Sequence, residues 1–312
     1  MIAPLRSRLH ARRHERRYAV LDAPSNLGLR PPAPGAVPGC HKAPWALRDA
    51  GLVARLGATD AGAVVPPRYV ADWEPGDGVR NGPAVAEYAG RLSRRVAALL
   101  DSGRFPVLLG GDCSILLGPA LALRRSGRFG LAYLDAHADF RHPGNSPYVS
   151  SAAGEDVALV TGRGEAYLTD IDGLRPYMRD EDVILLGVRD EEDLGHIAGS
   201  GIAAVTSAEI ISGGVAPALD AARKVLTRGE LDGFWIHADA DVLDPSLLPA
   251  VDSPVPGGLD AGQFTELLRS LAALPGAAGV EITILDPDLD PDGAQAALLV
   301  DLITTALAPG RA

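Results

Sequence analysis

The stretch "FGLAYLDAHADF" (residues 129–140) joins an apolar run to three alternating polar side chains. A short continuous apolar run of this kind is typical of a strand that is buried on both faces of a parallel sheet. Asp135, His137 and Asp139 follow it at every second position, so an extended chain would carry their side chains on one face. The stretch therefore predicts a buried parallel strand that ends in a cluster of metal-capable groups.

Six similar apolar runs recur along the chain, and segments with helical spacing separate them. The runs are "RYAVLDAP" (17–24), "FPVLLGGD" (105–112), "DVILLGVRD" (182–190), "GIAAVTSAE" (201–209), "GFWIHADAD" (233–241) and "AAGVEITILDP" (277–287). Two clear helical patterns span residues 85–103 and 260–276. This alternation predicts an α/β fold with a parallel sheet, in which the loops after the strands form the site. The runs alone fit an open sheet and a closed barrel equally well.

Composition narrows the classes of function. The net charge of −11 argues against a nucleic-acid partner, and no apolar run approaches the roughly 18 residues that cross a membrane. Two cysteines are too few for a disulfide framework, so we expect a soluble, cytoplasmic protein. We also expect residues 1–17 to be a basic, disordered extension and residues 18–308 to form a single domain.

A second acidic motif, "HADADVLDP" (237–245), places Asp239 and Asp241 at the end of another apolar run. Four neighbouring carboxylates repel one another unless cations or protons neutralise them. Oxygen ligands with one imidazole suit Mn²⁺ or Mg²⁺. The two motifs therefore predict a divalent metal site, and we expect two ions.

Four motifs together resemble the ureohydrolase family of arginase, agmatinase and formiminoglutamase. They are "GCHKAPWALRDAGL" (39–52), "GGDCS" (110–114), "DAHAD" (135–139) and "HADADVLDP". The resemblance implies a three-layer αβα sandwich around an eight-stranded parallel sheet, assembled as a homo-oligomer (trimer or hexamer). It also implies two Mn²⁺ ions per chain and a small-molecule substrate. In the implied reaction, metal-bound hydroxide attacks a guanidino, hydroxyguanidino or related amidine carbon and a linear C–N bond is hydrolysed.

The resemblance also implies a ligand set. Asp135 and Asp239 would bridge the two ions, Cys113 and Asp139 would complete one shell, and His137 and Asp241 would complete the other. The family has histidine at the position of Cys113. A softer, anionic thiolate there could still bind Mn²⁺, could shift the preference toward Zn²⁺, Fe²⁺ or Ni²⁺, or could leave that ion weakly held. The alternative is a buried cysteine that only fills space.

The chain departs from the family pattern at positions that serve catalysis and substrate binding. Ala153 stands where a histidine shuttles a proton, and Ile284 stands where a glutamate binds guanidinium. Arg141 replaces an asparagine that holds the substrate carboxylate, which favours an anionic substrate. Candidate catalytic residues are Asp139, His142, Glu155 and His237. Candidate substrate-binding residues are Arg141, Asn145, Glu192 and Glu281.

These departures leave alternative functions open. The chain could hydrolyse a non-guanidino amide, or it could be a non-catalytic arginase-like protein that keeps only the metal site. A nucleotide-binding enzyme is disfavoured because the glycine pair of "LLGGD" lacks the spacing of a phosphate-binding loop. The retention of all five carboxylate and imidazole ligands favours catalysis, since folding alone does not require so many adjacent like charges.

Overall fold

A computed structural model of the chain describes residues 5, 6, 9 and 16–308. Within them, eight parallel strands form one sheet in the order β2-β1-β3-β8-β7-β4-β5-β6. The sheet is open, with β2 and β6 as its edges, and this excludes the closed barrel. The strands are β1 (Tyr18–Ala23), β2 (Thr59–Ala63), β3 (Phe105–Gly110), β4 (Phe129–Leu134), β5 (Val183–Leu186), β6 (Ala203–Val205), β7 (Gly233–Asp239) and β8 (Ala277–Thr283).

The seven apolar runs of the sequence each contain one strand of the sheet. In β1, β3, β4, β5, β7 and β8 every residue is buried, as expected of strands covered on both faces. Strand β2 was not predicted, because its sequence "TDAGA" is largely exposed at the sheet edge and contains no apolar run.

Helices cover both faces of the sheet and confirm the three-layer αβα sandwich. One apolar core joins one sheet face to α1, α2, α8, α9, α10 and α11, and a second core joins the other face to α3, α4 and α5. The helices are α1 (Ala43–Asp49), α2 (Leu52–Arg55), α3 (Gly82–Asp101), α4 (Leu117–Arg124), α5 (Asp156–Val160), α6 (Ala166–Thr169), α7 (Glu191–Ile197), α8 (Ser207–Gly213), α9 (Val215–Leu226), α10 (Ala261–Ala273) and α11 (Ala294–Leu307). Short 3-10 turns lie at Gly39–Lys42, Cys113–Leu116, Ala152–Glu155, Ile171–Gly173, Asp180–Asp182, Ala240–Val242 and Pro287–Leu289.

The two predicted crossover helices form close to their predicted positions. Helix α10 begins at a capping box, in which the Asp260 carboxylate accepts from the Gln263 backbone N–H at 2.8 Å and the Gln263 side chain accepts from the Asp260 N–H at 3.0 Å. Its chain then reaches Gly276 at φ +90°, and α3 is likewise followed by Gly103 at φ +77°. Glycine adopts these left-handed conformations with little strain, so α3 ends next to Gly103 as the sequence predicts. Helix α10 ends three residues before Gly276, at Ala273, because the backbone of Leu274 is already extended.

The sheet register aligns three polar side chains on its central strands. Tyr133 of β4 pairs with His237 of β7, and His237 pairs with Glu281 of β8. Strands β3, β8, β7 and β4 are consecutive neighbours, so their carboxyl ends meet at the centre of one sheet edge. The loops that follow these four strands carry the acidic motifs and Cys113.

The predicted disorder of residues 1–17 falls mainly on residues outside the described part of the chain. Of those described, Leu5 and Leu9 are buried, and the Arg16 guanidinium lies 4.5 Å from the centroid of the Phe105 ring. In the described residues, none of the helices is both long and apolar enough to cross a membrane.

Candidate metal centre

The glycine pair after β3 positions Cys113 by close backbone packing. A Cβ atom on Gly111 would lie 1.6 Å from the Ser25 carbonyl oxygen, so only glycine fits. Asp112 then accepts from the Ser114 backbone N–H at 2.9 Å and from the Ser25 hydroxyl at 2.8 Å. These contacts fix the 3-10 turn that holds the buried Cys113 over the sheet edge.

The loop after β4 brings His137 between two carboxylates. His137 Nδ1 lies 3.0 Å from Asp241 Oδ2 and 3.4 Å from Asp135 Oδ1. The Ala136 backbone N–H donates to Asp241 Oδ1 at 3.1 Å, so the loops after β4 and β7 hold each other in register. The "DAHAD" and "DAD" motifs therefore converge, as their positions after buried strands predict.

Asp239 connects this group to Cys113. The Cys113 thiol donates to Asp239 Oδ2 at 2.8 Å, and the Asp241 backbone N–H donates to Asp239 Oδ1 at 2.8 Å. The Thr283 hydroxyl, at the end of β8, donates to the same Asp239 Oδ2 at 3.3 Å. The second oxygen of Asp135 is buried and has no hydrogen-bond partner within the described residues.

Among the residues that the structure describes, two groups of possible metal ligands result, and both contain Asp135. Cys113, Asp135, His237 and Asp239 form the first, while Asp135, His137 and Asp241 form the second. Within each group the donor atoms lie within 4.8 Å of one another.

The electrostatics show why cations fit this site. Burial, followed by the neighbouring Asp241 charge, raises the pKa of Asp135 to about 6. Burial and the Asp241 and Asp135 charges raise the pKa of Asp239 well above its usual range. Burial alone would lower the pKa of His137, but the Asp135 and Asp241 carboxylates outweigh it and raise that pKa to about 12. The cluster of carboxylates therefore stabilises a positive charge placed among them. The unpartnered Asp135 oxygen is one more atom that could bind a metal. This set of donor atoms fits divalent cations.

Asp139 is directed toward a different set of partners. Its backbone is left-handed, with φ +42°, and its Oδ2 accepts from the Tyr133 hydroxyl at 2.7 Å. The same hydroxyl lies 3.0 Å from Asp156 Oδ1, which is fully buried. Burial and the Asp135 charge raise the pKa of Asp139 well above its usual range. In the described chain, Asp139 belongs to neither of the two ligand groups.

A cavity of about 270 Å³ lies above the ligand groups. Eight of the predicted site residues line this cavity. In the described part of the chain, its lining does not include the other five, which are His142, Asn145, Glu192, His237 and Glu281. Those that line it are Cys113, Asp135, His137, Asp139, Arg141, Glu155, Asp239 and Asp241.

Two predicted residues, Asn145 and His142, stabilise local structure instead, and a third, Glu192, is exposed to solvent. Asn145 Oδ1 accepts from the His142 backbone N–H at 2.8 Å, and its amide donates to the Phe140 carbonyl at 2.8 Å, which closes the loop after β4. His142 Nδ1 accepts from the Gly144 N–H at 3.1 Å in that loop. The Glu192 side chain is 65% exposed on α7, so it is a solvated charge in this structure.

Comparison with known proteins agrees with this geometry. The family model for the Arginase family matches residues 23–308. The chain belongs to the arginase family. It is 32% identical over 274 residues to the arginase of Bacillus caldovelox, covering 85% of this chain and 91% of that one. Membership confirms the resemblance and places the chain among the ureohydrolase-type hydrolases.

Solved structures give the same result for the fold. A Bacillus caldovelox arginase structure superposes with a TM-score of 0.84 at 30% identity, covering 94% of this chain and 99% of that one. The agmatine ureohydrolase of Thermoplasma volcanium shares the fold, with a TM-score of 0.68 at 20% identity, covering 95% of this chain and 90% of that one.

Two of the positions at which this chain departs from the family pattern bring apolar side chains to the cavity. Ala153 and Ile284 present apolar groups there. Ile284 has a left-handed backbone with φ +71°, and its N–H donates to the Gly111 carbonyl at 2.8 Å. That strained β-branched residue is held against the glycine pair that positions Cys113.

Sequence reasoning missed several cavity and support residues. Asp252 and Ser253 line the cavity from the Pro-rich loop after β7, which the sequence indicates only as a site-building loop. Asp156 was not predicted, although an aspartate at the first position of the apolar helix α5 was a usable signal. The segment "GVRDEED" (187–193) made either Glu192 or Asp193 a candidate, and it is the buried Asp193 whose Oδ1 lies 3.5 Å from Arg141 Nη2.

Proposed function

We propose that this chain is a metal-dependent hydrolase that cleaves the C–N bond of a linear amidine of the guanidino class. The observation that carries this proposal is the pair of ligand groups that share Asp135 at the floor of the cavity. Burying several carboxylates close together destabilises the folded chain through desolvation and mutual repulsion. Bound divalent cations neutralise these charges and so remove the repulsion. Relatives that are named arginases support the substrate class.

Two divalent ions per chain fit the donor set. Mn²⁺ is our first candidate for the group of Asp135, His137 and Asp241, because two of its three residues supply carboxylate oxygens. Such ions, when bound, polarise water and the substrate carbon and stabilise the charge that develops in the transition state. The thiol of Cys113 opens the site to other divalent metals. A cytoplasmic homo-oligomer, trimer or hexamer, that acts on a small molecule is part of the same proposal.

The charges around the cavity support a substrate with two opposite ends. Arg30 and Arg141 line the cavity. Arg141 Nη2 lies 3.5 Å from Asp193 Oδ1, but the Arg141 side chain is 35% exposed, so the rest of its guanidinium can bind a substrate carboxylate. Asp252 lines the same cavity and supplies the carboxylate that Ile284 does not. We therefore assign the anionic end of the substrate to the arginines and its amidine end to the metal floor and Asp252.

Glu155 is our candidate for the proton transfer that the family's histidine performs and that Ala153, at that position, cannot. Burial raises the pKa of Glu155 to about 7, although the Ser151 and Ser150 backbone N–H groups that donate to it act in the opposite direction. A group with a pKa near neutrality is suited to general acid–base work, typically worth about 10²–10⁴-fold in rate.

Replacement of Glu155 by glutamine tests this pKa through stability. In the folded chain Glu155 holds a proton at pH values where the unfolded chain, with a pKa near 4.5, has lost it. The free energy of unfolding of the natural chain should therefore fall as pH rises from about 4.5 to about 7, by about 1–3 kcal/mol relative to E155Q. Glutamine keeps the acceptor oxygen for both N–H groups, so denaturant titrations at several pH values isolate the charge. Parallel stability curves would contradict the raised pKa.

A product screen tests the function itself. The metal-reloaded chain is assayed over arginine, agmatine, N-hydroxyarginine, guanidino acids and formiminoglutamate. The products measured are urea, ammonia, hydroxyurea (from N-hydroxyarginine) and formamide (from formiminoglutamate). We expect turnover that is lost on chelation and restored by a divalent ion. D220N, which changes an exposed carboxylate on α9, should retain full activity. Silence over the whole panel with two ions bound would contradict the proposed substrate class.

Arginine and agmatine differ only in the carboxylate, so this pair tests Arg141. We expect a preference for the carboxylate-bearing compound that falls about 10–100-fold in R141M, since a charge-assisted hydrogen bond is worth about 1.5–3 kcal/mol. KM should carry most of the change. A preference that is unaffected in R141M would assign the anionic end elsewhere.

A non-catalytic arginase-family protein is the second candidate. The observation that favours it is that Ala153 and Ile284 place apolar groups in the cavity. Its signature would be two bound ions without turnover of any compound on the panel.

A further inference from the structure

His237 and Glu281 form a fully buried pair beneath the cavity. Both side chains are 0% exposed, and His237 Nδ1 lies 2.8 Å from Glu281 Oε1. The pair sits on adjacent parallel strands in direct register, so the sheet itself fixes its geometry. The imidazole also stacks on the Tyr133 ring, with centroids 4.2 Å apart and planes at 10°. The position and the rotation of this imidazole are therefore closely constrained.

The other ring nitrogen of His237 is directed toward Cys113 and Asp239. His237 Nε2 lies 3.3 Å from the Thr283 hydroxyl, and that hydroxyl lies 3.3 Å from Asp239 Oδ2 and 3.4 Å from Cys113 Sγ. With Nδ1–H donated to Glu281, the lone pair of Nε2 points into this group. An imidazole whose far N–H is held by a carboxylate is the usual arrangement of a metal-ligating histidine.

The Asp139 carboxylate, unlike the His237 imidazole, is hydrogen-bonded outside the ligand group of Cys113 and Asp239. Its Oδ2 accepts from the Tyr133 hydroxyl, and within the described residues it lies outside the ligand groups that contain Asp135. Asp135, by contrast, keeps a buried oxygen without a partner in the same part of the chain. The side chains of Cys113, Asp135, His237 and Asp239 are thus the ones whose donor atoms converge.

We infer that Cys113, Asp135, His237 and Asp239 form a sulfur, nitrogen and oxygen site for a borderline divalent ion such as Zn²⁺ or Co²⁺, with Glu281 as the positioning residue for His237. The second group consists of Asp135, His137 and Asp241. It offers one imidazole and two carboxylates but no sulfur, so it suits a harder ion. The centre therefore has two unlike sites. This inference deepens the metal centre of the proposed function and does not require turnover.

The ligand types support this choice of ion. Zn²⁺ takes thiolate, imidazole and carboxylate ligands together in four-coordinate sites, and Co²⁺ substitutes for it. Metal binding at Cys113 as a thiolate releases to solvent the thiol proton that Cys113 now donates to Asp239 Oδ2. No other group has to move into the site for four donors to be present.

Titration of the metal-depleted full chain with Co²⁺ alone tests the inference. We expect a sulfur-to-cobalt charge-transfer absorption that saturates at one equivalent per chain. C113S should lose this absorption completely. C40S is the matched control, because Cys40 is also buried but its thiol donates to the Ser25 carbonyl at 3.7 Å, and it should keep the absorption. An absorption that is absent from the natural chain would overturn the inference.

Three further variants separate His237 from Asp139 as the fourth ligand. H237Q should lose the tetrahedral visible spectrum of bound Co²⁺, and E281Q should keep its general shape while Zn²⁺ affinity falls about 10–100-fold, as for other outer carboxylate partners. D139N should leave both unchanged. If H237Q does not fold, E281Q and D139N still decide: loss of affinity in D139N but not in E281Q would overturn the inference.

These readouts are independent of hydrolysis. A chain that shows the sulfur absorption and its loss in C113S, but no turnover, supports the inference and contradicts the proposed function. A chain that hydrolyses an amidine with bound metal, but shows neither sulfur nor His237 ligation, does the reverse.

Discussion

Asp135→Asn is expected to remove both metal ions from the purified chain and to lower amidine hydrolysis by about 10³-fold or more. The reason is that Asp135 belongs to both ligand groups and carries the unpartnered oxygen between them. Metal assistance is worth several kcal/mol of transition-state stabilisation, and each 1.36 kcal/mol is about tenfold in rate. Metal content by elemental analysis and rates of product formation measure the two effects.

The metal-free state provides the control for this variant. Asparagine is close in shape to aspartate and removes one of several buried like charges, so metal-free D135N should unfold no more easily than the metal-free natural chain. D220N should keep its ions and its activity. Two ions retained in D135N would contradict the shared-ligand arrangement.

Gly111→Ala has the second large expected effect, and it acts on folding. The added Cβ would lie 1.6 Å from the Ser25 carbonyl oxygen, a backbone atom that cannot rotate away. The loops after β1 and β3 must then separate, and the Asp112 N–H bond to Ser25, at 3.0 Å, is lost with them. We expect destabilisation by about 4 kcal/mol or more, in the range that only severe steric or cavity changes reach.

Gly195→Ala is the matched control for this substitution. Gly195 is an exposed position in α7, with a helical backbone and open space where the Cβ of alanine would lie. Alanine there should be neutral or stabilise the chain by about 0.5–1 kcal/mol. Chemical denaturation compares the variants, and a G111A chain as stable as G195A would contradict the close approach that positions Cys113.

The parts of the fold that could be predicted from the sequence are the strands whose burial requires a recognisable run of apolar residues. Strands covered on both faces are continuous apolar runs, so β1 and β3 to β8 were recognisable. Edge strand β2 is largely exposed, and its alanines, glycine and polar residues carry no such signal. The choice of an open sheet over a barrel depends on long-range strand pairing, and it came from the family resemblance rather than from local pattern.

The candidate site was predictable where side chains follow strands directly. Asp135, His137, Asp239 and Asp241 converge because parallel strands end at one edge. His142 and Asn145 lie in the loop after β4, where hydrogen bonds within the turn direct them away from the cavity. Such loop geometry has no periodic sequence signal.

His237 illustrates the remaining limit on sequence reasoning. From the sequence, it was a candidate substitute for the proton-shuttling histidine whose place Ala153 takes. Strand alternation alone does not show what its nitrogens contact. The contact with Glu281 depends on the register between β7 and β8, and the stacking on Tyr133 depends on the register between β4 and β7. These pairings join residues that are 44 and 104 positions apart, and they become visible only in the folded sheet.

Anomalous diffraction from crystals of the metal-loaded chain tests the central claim most directly. We predict two metal peaks, one on each side of Asp135, with Cys113 Sγ and His237 Nε2 facing one and His137 Nδ1 and Asp241 Oδ2 facing the other. A single peak, or peaks away from Asp135, would contradict the shared centre.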